Sequence, residues 1–407
     1  MADQRREALT SIVDSLASRR RILGGLVGVT VAGLLGWQES DADRKRRKTG
    51  RDKRHHQQDN IPRVNAQGKS NDSPATLRVM TRNIYFGTDL APVFAVESFE
   101  ELLDAVADIF ALVESTNFPE RAKVLAKEIA TFNPHLVGLQ EVALWRSGPA
   151  DFNPTPNAQT VEYDFLAILL EELAQRGKSY EAVAIVENTD AEAPRLGPTG
   201  LEDIRFTDRD VILARTDLPA TSFAVTDTQS DNFDATFTLD SDVLGLIPIP
   251  RGWTAVDATL DGRAVRVVST HLEPLAPNLQ VAQGNELLAG PLDTEMPVVL
   301  VGDLNSAADS SGPVPPGNDT LTYANLLAAG FVDAAAGKKP DLTCCQDADL
   351  ENTTSNLSRR IDFVLTRGGF VASAVKVVGD KRGDKTPSGL WPSDHAGVTA
   401  VLHLKQS

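Results

Sequence analysis

Residues 298–310 read VVLVGDLNSAADS, and they join a core strand to polar side chains at its end. Val298–Val301 form an apolar run typical of a buried strand, and Asp303 and Asn305 follow closely. Alternate residues of an extended chain point to the same side, so these two side chains are expected to face one spot. Alone, the pattern also fits an ordinary turn at the end of a strand. The rest of the chain decides between the two interpretations.

From about residue 75 onward, strand-like apolar runs alternate with stretches of helical periodicity. Helices are predicted over 99–113 and 160–177, for example, and Asp261-Gly262 is a strong hairpin signal between two strands. Helices that cover long runs of strands, several of them linked by hairpins, favour a layered α/β body with mixed sheets.

Other apolar runs also end in, or contain, polar residues of functional types. These residues are Asn83 in MTRN, Glu141 in GLQEV, His271 in VVSTH, Asp362 in RRIDFVL, and Asp394 and His395 in SDH. Buried carboxylates and imidazoles are costly unless they are paired or bound to a metal ion. Any one of them could be a capping or turn residue. So many polar strand ends in one chain favour a shared site.

In chain order, the segments MTRNIYFG, GLQEV, STHLEP, VGDLNS, RRIDFVL and SDHAGV resemble the successive motifs of the endonuclease/exonuclease/phosphatase superfamily. Its members include pancreatic-type deoxyribonucleases, apurinic-site endonucleases, inositol polyphosphate 5-phosphatases and bacterial sphingomyelinases. The resemblance covers about residues 75–405. It implies an α/β fold, a four-layer sandwich of two mixed β-sheets packed face to face and flanked by helices, with the site at one end of the sheets.

A magnesium site is expected within this resemblance. Glu141 would be the main ligand, because Mg²⁺ prefers a few carboxylates and keeps several waters. Asp394 would support the metal or its waters, although a turn or capping role for it stays open. Asn83 is placed beside the metal, where it would also hold phosphate oxygens. Mn²⁺ or Ca²⁺ are possible substitutes for Mg²⁺, and the metal would polarise the phosphate and template an in-line attack.

The base and the proton donors are expected around the same point. Asp303 would orient and deprotonate the attacking water, and Asn305 and Asn83 would fix its angle. A phosphodiester resists attack by water, so an activated nucleophile and stabilised oxygens are both needed.

His271 and His395 would donate hydrogen bonds to oxygens that gain charge in the transition state. Such a donor needs a fixed tautomer and a raised pKa, which a carboxylate partner supplies. By resemblance, that partner is Asp362 for His395 and Asp208, in FTDRDVIL, for His271. Asp210 on the same strand stays an alternative to Asp208.

The start of the chain differs from the body. The segment SRRRILGGLVGVTVAGLLG (18–36) sets three arginines before an apolar stretch shorter than the roughly 20 residues that span a bilayer. Residues 1–40 are therefore predicted to be an export signal that resembles the twin-arginine (Tat) type, with a short buried helix or an uncleaved anchor as the alternative. Residues 41–74 are predicted to be a disordered, basic and polar linker, which leaves 75–407 as a single catalytic domain.

Charge and cysteine content narrow the function further. Residues 1–68 hold 14 of the 40 Lys and Arg and 8 of the 56 Asp and Glu, so the remainder has 26 basic against 48 acidic residues, a formal charge of −22. Such a body gains nothing from the phosphate neutralisation that drives non-specific duplex binding. Cys344 and Cys345 are the only cysteines, so neither a disulfide scaffold nor a cysteine zinc site is expected. The loop at 343–360, which contains both cysteines, is expected to have no special role. A redox-sensitive role for Cys344 and Cys345 stays open as the alternative.

These features predict a Mg²⁺-dependent phosphoric-ester hydrolase of the phosphodiesterase or nuclease type, exported or attached to the cell envelope. Nucleic acid, a phospholipid head group and a small phosphodiester all fit as substrates, because the motifs contact only the phosphate. A monomer without an obligate protein partner is expected. The segment 84–118 is a candidate for shaping the substrate mouth. The alternative is a non-catalytic envelope or nucleic-acid-binding protein that acts through its basic linker.

Overall fold

The computed structural model describes residues 75–151, 155–308, 320–336 and 342–405. The predicted export signal at 1–40 and the predicted linker at 41–74 lie outside them. The described residues belong to a compact unit that spans Ser73–Ser407. Among them, no helix has both the length and the apolar character needed to cross a membrane.

Most elements of the fold are strands, and the helices occur at several points between them along the chain. In chain order the elements are β1 (Ala75–Asn83), α1 (Ala91–Phe94), α2 (Phe99–Ser115), α3 (Phe118–Phe132), β2 (Leu136–Gln140), β3 (Leu144–Pro149), β4 (Thr160–Asp164), α4 (Phe165–Gln175), β5 (Tyr180–Gly197), β6 (Gly200–Arg215), β7 (Phe223–Asn232), β8 (Phe237–Ser241), β9 (Gly245–Ile249), β10 (Gly252–Leu260), β11 (Arg263–His271), α5 (Pro277–Ala289), β12 (Val298–Asp303), α6 (Thr322–Ala328), β13 (Val332–Asp333), β14 (Asp362–Arg367), β15 (Phe370–Val378) and β16 (Gly397–Leu404).

The strands form two large sheets and a small hairpin. The first sheet has the order β15-β16-β1-β2-β6-β3-β4, with β5 paired to β6, and the second has the order β13-β14-β12-β11-β10-β7. Within the described part of the chain, strands β8 and β9 pair only with each other. Each large sheet contains one parallel pair, β1–β2 in the first and β11–β12 in the second, among antiparallel pairs. The sheets are therefore mixed, as predicted.

Apolar side chains form clusters that fill the space between successive layers. One cluster lies between α2–α4 and the first sheet and includes Leu125 and Leu139. A second lies between the two sheets and includes Val79 and Val267, and a third lies between the second sheet and α5–α6. The order helices, sheet, sheet, helices confirms the predicted four-layer sandwich.

Strand β12 shows why its apolar run is continuous. Val299 and Val301 belong to the cluster between the sheets, whereas Val298 and Leu300 belong to the cluster beneath the outer helices. Both faces of the strand are buried, so alternation with polar residues is absent. Burial of each such side chain stabilises the fold by about 1.5–3 kcal/mol.

The helix predicted over 160–177 is shorter than expected, and the prediction was wrong for 160–164. Thr160–Asp164 form β4, which pairs with β3. The helix begins after Asp164, whose side chain accepts hydrogen bonds from the backbone N–H groups of Leu166 and Ala167. Thr160 and Val161 are β-branched and favour the strand, and the Asp164 cap fixes where the helix starts.

Candidate active site

The polar residues predicted at the strand ends lie at one end of the two sheets, where the strands that carry them begin or end. Parallel β1 and β2 carry Asn83 and Glu141 to the same end of the first sheet. In the second sheet His271 is the register partner of Asp303, which in turn faces Asp362 on antiparallel β14. Sheet register thus brings together residues that are far apart in the chain.

Asp303 lies at the centre of this cluster and is buried. Its Oδ2 is 3.4 Å from Asn83 Nδ2 and 3.6 Å from both His271 Nε2 and His395 Nε2. Its Oδ1 accepts a hydrogen bond from the backbone N–H of Asn305 at 2.9 Å. One carboxylate oxygen is therefore shared among three potential donors, while the other is held by the chain itself.

The pKa of Asp303 suits a group that exchanges protons near neutral pH. Burial, and then the neighbouring Asp362 carboxylate, raise the pKa of Asp303 to about 7. A general base works best when its pKa lies near the operating pH.

The turn after β12 is built around unusual backbone angles. Gly302 has φ +144°, and a Cβ there would lie 2.1 Å from the backbone oxygen of Thr270 on β11. Asn305 has φ +46°, and its Nδ2 donates a hydrogen bond to Leu272 O at 3.0 Å. Asn305 thus meets Asp303 through its backbone N–H, while its side-chain amide is directed to the end of β11. Only glycine fits at 302.

Glu141 leaves β2 in the left-handed region, with φ +59°. Its Oε1 accepts a hydrogen bond from Asn83 Nδ2 at 2.8 Å, and its Oε2 accepts one from the backbone N–H of Phe86 at 3.1 Å. Burial, and then the nearby Asp394 carboxylate, raise the pKa of Glu141 to about 8. Negative charge at this point is unfavourable unless a cation balances it.

The donors at this point fit a hard divalent cation. Glu141 and Asp394 offer carboxylate oxygens, and burial also raises the pKa of Asp394. Oxygen-rich sites of this kind suit Mg²⁺, Mn²⁺ or Ca²⁺. Ligand atoms of Asp303, Asp362 and His395 also lie within 4.8 Å of one another.

His395 is held by a carboxylate. Its Nδ1 is 2.9 Å from Asp362 Oδ2. Burial opposes its protonation, but the carboxylates of Asp362, Asp303 and Asp394 outweigh burial and hold the pKa of the imidazole well above its ordinary value. His395 is therefore a cationic donor whose Nε2 points toward Asp303.

His271 is held by an arginine instead. Its Nδ1 is 3.2 Å from Arg251 Nη1, and the same nitrogen of Arg251 is 3.5 Å from Asp208 Oδ2. Arg251 therefore lies between Asp208 and His271. The direct pairing of Asp208 with His271 that the sequence predicted is not present in the described part of the chain. Burial and the Arg251 charge hold the pKa of His271 well below its ordinary value. Because Arg251 can only donate, Nδ1 accepts and the proton of the neutral ring lies on Nε2.

Asp208 and Asp210 form a buried pair behind Arg251. Asn188 Nδ2 is 3.3 Å from Asp208 Oδ2 and 3.0 Å from Asp210 Oδ2. Burial raises the pKa of both carboxyl groups, and the Asp208 charge adds to the effect on Asp210. Arg251 Nε also lies 3.8 Å from Glu273 Oε2, so one guanidinium group lies close to both Asp208 and Glu273. Sequence reasoning missed Arg251, Glu273 and Asn188.

The loop at 343–360, which contains both cysteines, lies beside His395. Cys344 and Cys345 form a disulfide between adjacent residues. Cys345 Sγ is 3.9 Å from His395 Nε2, and Arg359 Nη2 lies within 3.3 Å of both sulfurs. The loop at 343–360 is therefore part of the wall around His395, and the absence of a redox role for its cysteines stays a prediction.

A cavity of about 310 Å³ adjoins the site. Phe86, Leu90 and Val93, from the segment 84–118, form part of its lining. Asp208, Arg251 and Glu273 line it as well, and they lie next to His271. The segment 84–118 thus lines a cavity beside the site, and its role at the substrate mouth stays a prediction.

A family model described as "Endonuclease/Exonuclease/phosphatase family" matches residues 83–395, a range that contains every site residue named above. No curated protein sequence gives a significant match.

Solved structures with a similar fold include several bacterial proteins. An endonuclease/exonuclease/phosphatase from Bacteroides vulgatus is 16% identical, with 81% of this chain and 99% of that chain covered and a TM-score of 0.47. A mannosyl-6-phosphatase from Bacteroides thetaiotaomicron VPI-5482 is 16% identical, with coverage of 80% and 99% and a TM-score of 0.47. A protein from Beutenbergia cavernae DSM 12333 is 21% identical, with coverage of 81% and 72% and a TM-score of 0.47. The assignment of this chain to a family rests on the family model that matches residues 83–395 and not on these structural similarities.

Proposed function

This chain belongs to the Endonuclease/Exonuclease/phosphatase family, and we propose that it is an exported, Mg²⁺-dependent enzyme of the phosphodiesterase or nuclease type. As a member of the family it is a metal-dependent hydrolase of phosphoester bonds. Mg²⁺ is the proposed metal because Glu141 and Asp394 offer carboxylate oxygens. Export is supported by the arginine-led apolar segment at 18–36.

The observation that carries the mechanism is the position of Asp303 among its neighbours. A single carboxylate oxygen lies 3.4 Å from Asn83 Nδ2 and 3.6 Å from two imidazole Nε2 atoms. The three nitrogens therefore converge on the carboxylate oxygen that would accept the proton of the attacking water.

Asp303 would take the proton of the attacking water. Its pKa of about 7 means that a large fraction is ionised at neutral pH. The backbone N–H of Asn305 fixes the carboxylate, and Asn83 limits where the water can sit.

The imidazoles would stabilise the oxygens that gain charge. His395 donates as a cation held by Asp362, and His271 donates as a neutral ring whose tautomer is set by Arg251. Donors aimed at developing charge in a buried site are a major source of rate enhancement. Mg²⁺, when held by Glu141 with Asp394 and Asn83 beside it, supplies charge neutralisation and orientation of the phosphate.

The proposal is tested with the full chain and the substitution Asp303→Asn. We expect a loss of roughly 10²–10⁴-fold in kcat on bis(p-nitrophenyl) phosphate, because the base is removed while the shape is kept. EDTA should abolish wild-type turnover and Mg²⁺ should restore it. The control is Asp293→Asn, an exposed aspartate outside the site.

Circular dichroism would establish that both variants are folded. Full activity in Asp303→Asn would overturn the assignment of the base. If the wild type hydrolysed no phosphoester with Mg²⁺, Mn²⁺ or Ca²⁺ yet bound DNA in a salt-sensitive manner, the non-catalytic alternative would be favoured.

A further inference from the structure

The cavity beside the active site is lined mainly by apolar and aromatic side chains. Phe86, Trp145 and Phe206 form one wall, with ring centroids 5.3 Å apart for Phe86–Phe206 and 4.6 Å apart for Trp145–Phe206. Ile247 from the β8–β9 hairpin and Leu275 complete other parts of the lining. Its volume of about 310 Å³ falls within the range of small-molecule sites.

Phe86 connects this cavity directly to the proposed metal site. Its ring lines the cavity, while its backbone N–H donates to Glu141 Oε2 at 3.1 Å. Its backbone oxygen accepts a hydrogen bond from Trp145 Nε1 at 3.0 Å. A group attached to a phosphate near Glu141 therefore has a short path into the cavity.

The polar groups that line the cavity are mostly acidic. Among the described residues that line the cavity, Arg251 is the only cationic side chain, and it is already paired with Asp208 and Glu273. Asp89 and Glu192 add negative charge. A polynucleotide would bring further phosphates to this acidic wall and would find few cations to bind them.

The rim carries exposed leucines. Leu275, which lines the cavity, is 56% exposed, and Leu246, the chain neighbour of Ile247, is 71% exposed. An exposed leucine in the lining of an apolar cavity favours an apolar ligand that enters from solvent or from a lipid surface.

We propose that this cavity binds an acyl chain of the substrate, so that the substrate is a phospholipid-class phosphodiester. The inference rests on the proposed function, because it assigns the cavity to the alcohol side of the bond that is cleaved. Water attacks phosphorus and one P–O bond breaks, which yields a phosphomonoester and an alcohol. The phosphate lies at Glu141 and Asp303, and the chain lies against Phe86, Trp145 and Phe206.

The test compares glycerophosphocholine, dibutanoyl-phosphatidylcholine and dihexanoyl-phosphatidylcholine as monomeric substrates of the full chain with Mg²⁺. We expect kcat/KM to rise roughly tenfold from dibutanoyl to dihexanoyl, because two further methylenes are buried. The substitution Ala193→Trp fills the cavity and should abolish this gain. Leu275→Asp should reduce it, because a charge is placed at the rim. The matched controls are Ala374→Trp and Val371→Asp on β15, which should retain the gain.

Binding is measured separately from turnover. Calorimetry in EDTA would compare dodecylphosphocholine, below its micelle concentration, with phosphocholine. Tighter binding of the dodecyl compound that is lost in Ala193→Trp supports the inference.

The outcomes separate the two proposals. Turnover that does not depend on chain length overturns the lipid inference and leaves the phosphodiesterase intact. A preference for bis(p-nitrophenyl) phosphate that Ala193→Trp abolishes would assign the cavity to an aryl group and also overturns the inference. If no phosphodiester is hydrolysed, the proposed function fails and the substrate assignment fails with it, even if calorimetry detects the chain.

Discussion

His395 and His271 place their Nε2 atoms at the same distance, 3.6 Å, from one oxygen of Asp303, yet groups of opposite charge hold them. Asp362 lies against Nδ1 of His395, and Arg251 lies against Nδ1 of His271. The carboxylate favours a protonated ring, and the guanidinium favours a neutral one. One site can therefore contain a cationic and a neutral donor of the same residue type.

The largest effect is expected for His395→Gln. Loss of a cationic donor should lower kcat by about 10³-fold, because removal of one such donor typically costs 10²–10³-fold or more. The same substitution at His271 should cost less, about 10²-fold, because a neutral donor is lost. The measurement is kcat on bis(p-nitrophenyl) phosphate at saturating Mg²⁺. Equal losses at both positions would contradict the distinction.

A smaller effect is expected for Arg251→Gln, and it should appear mainly in stability. Asp208 and Glu273 would be left buried without their cation, which should lower the free energy of unfolding by about 3 kcal/mol. Arg215→Gln is the control, because Arg215 pairs with the 41% exposed Asp217 and should cost at most about 1 kcal/mol. Denaturant titration measures both, and similar losses would show that Arg251 is not the structural cation of the site.

The mildest test changes no residue and follows protonation in the metal-free protein. The raised pKa of His395 keeps its proton as the pH rises through 6.5, whereas the lowered pKa of His271 keeps it neutral until the pH falls well below 6.5. At pH 7 in EDTA, nitrogen NMR should show two protonated ring nitrogens for His395 and a neutral, Nε2-protonated ring for His271. The signals are assigned with the two His→Gln variants. Matching charge states in the two rings would contradict the assignment of His395 as cationic and His271 as neutral.

Much of the fold could be predicted from the sequence, because its determinants are local or repeated. Continuous apolar runs such as Val298–Val301 indicate strands buried on both faces, and Asp261-Gly262 marks the hairpin between β10 and β11. The polar strand ends were also visible, since each follows its strand directly. Sheet register then determines that Asp303 and Asp362 are neighbours.

The rest depends on contacts between distant segments that leave no pattern in the chain. Arg251 lies in a short connection before β10, and nothing in its neighbourhood indicates that it separates His271 from Asp208. The cavity likewise needs 84–118 and the β8–β9 hairpin to meet, although they are far apart in sequence. The start of β4 was missed because the apolar spacing of 160–164 also fits a helix. The export signal at 1–40 stays a prediction.

Gly302 is a position at which substitutions are expected to be poorly tolerated. The backbone of β11 lies so close that a single methyl group at this position would meet Thr270 O, and relief would require the strands carrying His271 and Asp303 to separate. A screen of random variants for activity should therefore rank Gly302 among the least tolerant positions, beside the acid–base residues. Intolerance there would reflect the spacing of two strands, although glycine brings no side chain to the reaction.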